Sequence, residues 1–279
     1  MRNLPFFDAH NHVHLGSAIA NIPSSVDTST FSNLKGMAVM STHPRDFSGV
    51  SREINLLNKK YPDATFVPCY GAHPWFLDES TIISTSATKA EPDSWVDTLV
   101  CLLKENPKAA VGEIGLDNHR YVPNKPNELV TSMETQVSVF EMQMRIAAEY
   151  DRPVSVHAVK AWKPLYDSLL KLKREKCLPR RIYFHAFGGK AGVVDQILAL
   201  LSPKTDVFFG FAPCVNLRSP KTADVVRRIG IERIVLETDR EDASYVWDEV
   251  VVGAEFISDA LEITVDDVVK ICRENSCKL

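Results

Sequence analysis

Three histidines at alternate positions, His10, His12 and His14, follow a short apolar run near the start of the chain. A strand repeats its side-chain direction every two residues, so a strand ending there points His10 and His12 the same way. Two converging imidazoles are half of a metal site. The other half is sought where other apolar runs end, and His73, Glu113, His157, His185 and Asp239 fall there. His10, His12, Glu113 and Asp239 can hold one divalent cation. Glu113, His157 and His185 can hold a second, with Glu113 bridging. Two such cations lower the pKa of a water between them and clamp the attacking and leaving oxygens of a phosphoryl transfer. Asp239 is then the general base, and His73 is placed to touch the substrate or the leaving group.

These residues need a scaffold that gathers strand ends. Eight apolar runs are expected as strands: about Leu4–Ala9, Gly36–Ser41, Thr65–Gly71, Ala109–Ile114, Pro153–Val156, Arg181–Phe184, Asp206–Phe211 and Arg233–Leu236. Continuous apolar runs mark strands buried on both faces, as in a parallel sheet. Helical patterns lie between them: Ser51–Tyr61, Ser94–Glu105, Ser132–Glu149, Lys163–Lys176, Gly192–Leu201 and Thr222–Ile229. Two more, Tyr245–Leu261 and Val265–Cys272, close the chain. Ser17–Asn33, Asp78–Asp93 and Asn118–Glu128 read as loops, the last carrying Pro123 and Pro126. Eight strand–helix units in 279 residues predict an α/β fold, a (β/α)8 TIM-like barrel forming one domain over 1–279. On such a barrel chemistry sits at the C-terminal ends of the strands, where every candidate falls.

The bulk properties narrow the alternatives. The chain is 45% hydrophobic and 24% charged, with net charge -4. A broad basic nucleic-acid surface is therefore not written into the composition, although bound cations would supply local positive charge. Six cysteines show no C-x-x-C pair. With no leader ahead of the first strand, they read as reduced thiols of a cytoplasmic protein, also compatible with the nucleus. No apolar run is long enough to cross a bilayer, so no membrane partner is expected.

The motifs resemble the TatD-type metal-dependent hydrolases and deoxyribonucleases along nearly the whole chain. Asp8-Ala9-His10-Asn11-His12, Gly71-Ala72-His73-Pro74, Gly112-Glu113-Ile114-Gly115-Leu116-Asp117, His185-Ala186-Phe187-Gly188-Gly189 and Glu237-Thr238-Asp239 carry the likeness. Gln136, Phe140 and Gln143 resemble the family's helix before strand five, and Glu274-Asn275 the end of its last helix. The resemblance implies a barrel of the metal-dependent hydrolase type, one or two divalent ions (Zn, Mg or Mn) and hydrolysis of DNA or another phosphodiester. The family's metal residues fall on His10, His12, Glu113, His157, His185 and Asp239, the residues already selected. Val159 stands where the family usually carries Arg, with Lys160 beside it, and Arg240-Glu241-Asp242 replaces the usual Pro and aromatic. Both departures touch the substrate side, so the chain reads as a divergent eukaryotic member.

His73, Trp75, Lys160 and Phe187 follow strands at the top of the barrel and are the expected substrate-binding residues, Trp162 being similarly placed. The basic run Lys171–Lys176 with Arg180 and Arg181 leads into the bottom of strand six and reads as a solvated helix end. His14, His43 and His119 are read as supporting or structural residues. Two other functions fit the same barrel. One is a small-molecule amidohydrolase or lactonase, weakened by Glu113 standing where many such barrels carry a modified Lys. The other is a catalytically weak scaffold that retains its metal site.

Overall fold

The computed structural model of the chain describes residues 4–16, 33–77 and 94–279. The polar segments expected as loops at Ser17–Asn33 and Asp78–Asp93 lie outside the described residues, apart from Asn33. Eight parallel strands form a nearly closed barrel: β1 (Phe6–Asn11), β2 (Leu34–Met40), β3 (Thr65–Tyr70), β4 (Ala110–Asp117), β7 (Val154–Val159), β8 (Arg181–Phe184), β9 (Asp206–Gly210) and β10 (Ile234–Val235). Their spatial order follows the chain, with a separate antiparallel hairpin, β5 (Tyr121–Val122) and β6 (Lys125–Leu129), inserted after β4. The last strand returns to the first through the backbone: Ala9 N–H donates to the Leu236 carbonyl at 2.9 Å and Asp239 N–H to the His10 carbonyl at 2.9 Å.

The strands are apolar because both of their faces are covered. One face meets the helices. These are α1 (Phe47–Lys60), α2 (Trp95–Glu105), α3 (Met133–Glu149), α4 (Trp162–Glu175), α5 (Ala191–Leu201), the short α6 (Pro213–Asn216), α7 (Thr222–Ile229), α8 (Val246–Leu261) and α9 (Val265–Ser276). Side chains such as Val39, Val111, Val156, Phe184 and Phe209 pack there. The other face fills the lumen with a smaller cluster that includes Phe7, Ala9, Ala38, Cys69, Ala110 and Phe208. Helix starts carry the expected caps: Ser94, Ser132 and Thr264 each accept from the backbone N–H three residues on, at 3.1 Å.

Three differences from the sequence reading bear on the site. β1 continues through His10 to Asn11, and β4 runs to Asp117, so strand hydrogen bonding carries ligand candidates into the site. Asn118–Glu128 is not plain loop, because β5 and β6 pair across Pro123 and Asn124. The two prolines, which read as loop formers, lie in the turn and on a hairpin outside the main sheet, where a missing N–H costs little.

Candidate metal centre

β1 delivers His10 and, just past its end, His12; β4 delivers Glu113, β7 His157, the end of β8 His185, and the turn after β10 Asp239. The Glu113 carboxylate is the hub. Its Oε2 lies 3.5 Å from His10 Nε2 and 3.2 Å from His12 Nε2. Asp239 Oδ1 lies 3.6 and 3.5 Å from the same two nitrogens, which are 3.3 Å from each other. The other oxygen, Oε1, lies 2.9 Å from His157 Nδ1 and 2.6 Å from His185 Nε2, with these nitrogens 3.2 Å apart. Two donors bound to one cation at about 2.1 Å sit about 3.0–3.4 Å apart, so the first set, at 3.2–3.6 Å, lies close to the spacing of coordination edges, and the second, at 2.6–3.2 Å, is drawn tighter by hydrogen bonding.

The outer nitrogens decide which inner ones carry lone pairs. His12 Nδ1 is 2.9 Å from the Met40 carbonyl, which only accepts, so Nδ1 keeps the proton and Nε2 faces the centre as a donor atom. His157 Nε2 faces Asp117 Oδ2 at 3.1 Å, which keeps a proton on Nε2 and points Nδ1 at the centre, where a cation would take the place of the second proton. His10 Nδ1 is hydrogen bonded to Ser155 Oγ at 3.0 Å. His185 Nδ1 is buried without a hydrogen-bond partner among the described residues. His73 differs. Its Nδ1 accepts from Trp75 N–H at 3.1 Å, so the neutral ring carries its proton on Nε2, 3.4 Å from Glu113 Oε1. It is a hydrogen-bond donor at the centre rather than a ligand. The donor set therefore suits a divalent ion on His10, His12, Glu113 and Asp239 and another on Glu113, His157 and His185.

Electrostatics follow from burying carboxylates among imidazoles. Burial pushes the Glu113 carboxyl up, but His185, His73, His10 and His12 outweigh it and hold it well below the usual carboxylate range. Asp239 is likewise raised by burial and brought down to about 2 by His12, His185 and His10. Burial and the neighbouring His185 lower His10 to about 3. Burial lowers His73 to about 4. For His157 burial is overcome by Asp117 and Glu113, which raise it to about 9. Glu237 goes the other way, pushed well above the usual range by burial and by Asp239. The sequence reading gave Glu237 no role, yet His10, His185 and Glu237 present atoms within 4.8 Å of one another.

Neighbouring residues hold the candidate ligands in place. Asp8, fully buried, accepts from His10 N–H (3.3 Å), Asn11 Nδ2 (3.0 Å), Thr238 N–H (3.1 Å) and Thr238 Oγ1 (2.8 Å), tying β1 to the turn that carries Asp239. Gly115 lets β4 approach β7: a Cβ there would lie 1.9 Å from the His157 carbonyl oxygen. Gln143 clamps Ala72, accepting from its N–H at 2.8 Å and donating to its carbonyl at 3.2 Å. Gln136 does the same for Asp117, at 2.7 and 3.0 Å.

The centre floors a cavity of about 400 Å³, walled by Leu15, Trp75, Phe76, Val159, Val215 and Glu241 among others. Both departures from the family pattern face it: Val159 and Glu241 line the wall, while Arg240 pairs with Glu249. Of the expected substrate residues, His73 and Trp75 line the cavity. Lys160 lies outside it, with Nζ 3.1 Å from His119 Nδ1. Phe187 is corrected: it is 3% exposed and packs on Trp162 and Phe209, so the ring belongs to the core. His14 is structural, its Nε2 3.3 Å from Asp46. At the far end of the barrel the basic run is engaged locally, Lys171 with Glu141 at 2.6 Å and Arg181 with the Leu279 carbonyl at 3.0 Å.

The chain matches the family described as TatD related DNase over residues 7–279. It is 26% identical over 306 aligned residues to Cut9-interacting protein scn1 of Schizosaccharomyces pombe, covering 86% of this chain and 90% of that protein. It is 24% identical to Deoxyribonuclease TATDN3 of Homo sapiens, covering 98% and 93% of the two chains. A TatD family hydrolase from Entamoeba histolytica superposes with a TM-score of 0.72 at 19% identity, covering 99% and 97% of the chains. The TatD homolog YJJV from Escherichia coli superposes with a TM-score of 0.72 at 21% identity, with the same coverage. At such identities the superpositions speak for the fold alone. The chain belongs to the TatD-related DNase family of metal-dependent hydrolases.

Proposed function

We propose that this protein is a divalent-metal-dependent phosphodiesterase that releases nucleotides from DNA. One observation carries the reading: Glu113 divides its two oxygens between two sets of donors, His10, His12 and Asp239 on one side and His157 and His185 on the other. The human relative's name, a deoxyribonuclease, supports the substrate. Divalent ions held there supply positive charge for the phosphoryl oxygens and ease ionisation of the attacking water. The chain's own residues do the rest. Asp239, whose side chain is 21% exposed and faces the cavity, receives the proton of that water. His73 presents Nε2–H to the leaving oxygen or its phosphate. Trp75 and Phe76 offer partly exposed rings against which a base can rest. The six free cysteines fit a reducing compartment, cytoplasmic or nuclear.

A second reading, a small-molecule amidohydrolase or lactonase, is favoured by the cavity wall, whose lining contains no Lys or Arg among the described residues. One assay separates the two: metal-titrated hydrolysis of single- and double-stranded DNA, RNA and lactones by wild type and Glu113→Ala. The phosphodiesterase reading expects metal-dependent nucleotide release, reduced more than about a thousandfold by Glu113→Ala. Fully metal-loaded wild type that cleaves lactones and no nucleic acid sinks it.

A further inference from the structure

The absence of cations from the cavity wall raises the question of what holds the charged strand on either side of the bond to be cut. Two candidates lie outside the cavity lining, on the side of β4 and β7. Arg120, at the base of the hairpin, stacks its guanidinium 4.9 Å above the Trp75 ring. Trp75 in turn stands edge-on to the candidate ligand His157, centroids 6.0 Å apart, and donates its Nε1–H to Asp117 Oδ2 at 2.7 Å. Lys160, at the end of β7, adopts a left-handed backbone (φ 51) and directs Nζ to His119 Nδ1. A bulky residue rarely keeps such a conformation without a local reason. Arg120 and Lys160 are both exposed, and neither forms an ion pair with a carboxylate among the described residues. The wall carries Glu241, and the two cations stand outside its lining.

We propose that Arg120 and Lys160 hold a phosphate neighbouring the scissile one, on a single nucleic-acid strand that leaves the cavity over Trp75. The idea rests on the phosphodiesterase reading and narrows it: the preferred substrate is a strand, not a small diester or a lactone. Arg120 fits the task because its planar fork can grip a phosphate while it stacks on the indole, and Lys160 adds a point charge. Trp75 contributes a face for a base.

The test is a chemical cycle on the metal-loaded full chain. Single-stranded DNA oligonucleotides are made with one linkage at a time replaced by an uncharged methylphosphonate, walking away from the cleaved bond. For wild type, kcat/KM is expected to fall about tenfold at one linkage near the cut, the worth of one charge-assisted contact. For the double variant Arg120→Ala, Lys160→Ala the all-phosphate strand is already slow, and the same replacement costs nothing further. Arg120→Lys should restore part of the loss, and the ratio of strand to bis(p-nitrophenyl) phosphate turnover should fall in the double variant. Equal methylphosphonate losses in wild type and variant overturn the proposal, as does an equal fall for strand and small diester, which would mean that Arg120 only braces Trp75. If wild type cuts no DNA, the cleavage reading fails separately. The same cycle is then read by fluorescence anisotropy of the labelled strand, and no measurable binding, or no coupling, overturns the subsite.

Discussion

The upper and lower halves of the barrel lumen are made by the same strands and obey opposite rules. The lower half is apolar and built from small and aromatic side chains, with Ala9, Ala38 and Ala110 facing Phe7 and Phe208. The upper half crowds His10, His12, His157, His185, Glu113 and Asp239 into a single polar cluster. Met40 lies at the seam: its side chain belongs to the lower cluster, while its carbonyl fixes the tautomer of His12. The lower half stabilises simply by leaving water, at roughly 25 cal/mol per Å² of apolar surface. In the upper half, the burial of two carboxylates among four imidazoles is set against the attraction that keeps Glu113 and Asp239 ionised. The difference teaches that one set of strands can be packed by dry contact below and present a polar cluster above, because the same backbone passes through both layers.

Three substitutions break or sharpen that contrast. Phe208→Ala, in the floor, should cost about 3–5 kcal/mol in a denaturant titration while activity per folded molecule is retained. Activity lost without loss of folded protein would erase the division of labour. Asp117→Asn, which loosens the grip on His157, should weaken metal affinity about 10–100-fold by competition with a chelator, with a much smaller change in stability. An unchanged affinity would show that His157 needs no anchor. Ser155→Ala removes the partner of His10 Nδ1 and should cost about 1 kcal/mol of metal-binding free energy, measured the same way. A cost comparable to that of Asp117→Asn would mean the two sets of donors are not independent.

Much of this was legible because two periodicities coincide. Buried parallel strands write themselves as apolar runs, and a polar residue at the end of such a run has nowhere to go but the rim. His10, Glu113, His157, His185 and Asp239 were found that way, and the structure gathers them around one carboxylate. What escaped was set by tertiary contact. Phe187 follows a strand like Trp75, yet turns into the core because Trp162 and Phe209 offer it a packed face. The hairpin escaped because its β5 is two residues long and its sequence is punctuated by proline. Glu237 and Asp117 escaped as partners because carboxylates beside a ligand have no spacing rule of their own, only neighbours to serve.

Gln136 and Gln143 are seven residues apart on α3, and both are almost completely buried. Seven residues bring a helix back to within about 20° of the same direction after about 10 Å of rise, so the two amides project side by side like marks on a ruler. Each amide bonds a backbone N–H and C=O as a rung of β-ladder would, one beside His73 just past the end of β3 and the other at Asp117, whose remaining strand partner lies on β7. The separation between the segment beside His73 and Asp117, the anchor of the candidate ligand His157, is thus copied from the pitch of a helix outside the barrel. One residue inserted between the two glutamines would turn one of them about 100° away. The barrel could stay closed while its calibration was lost.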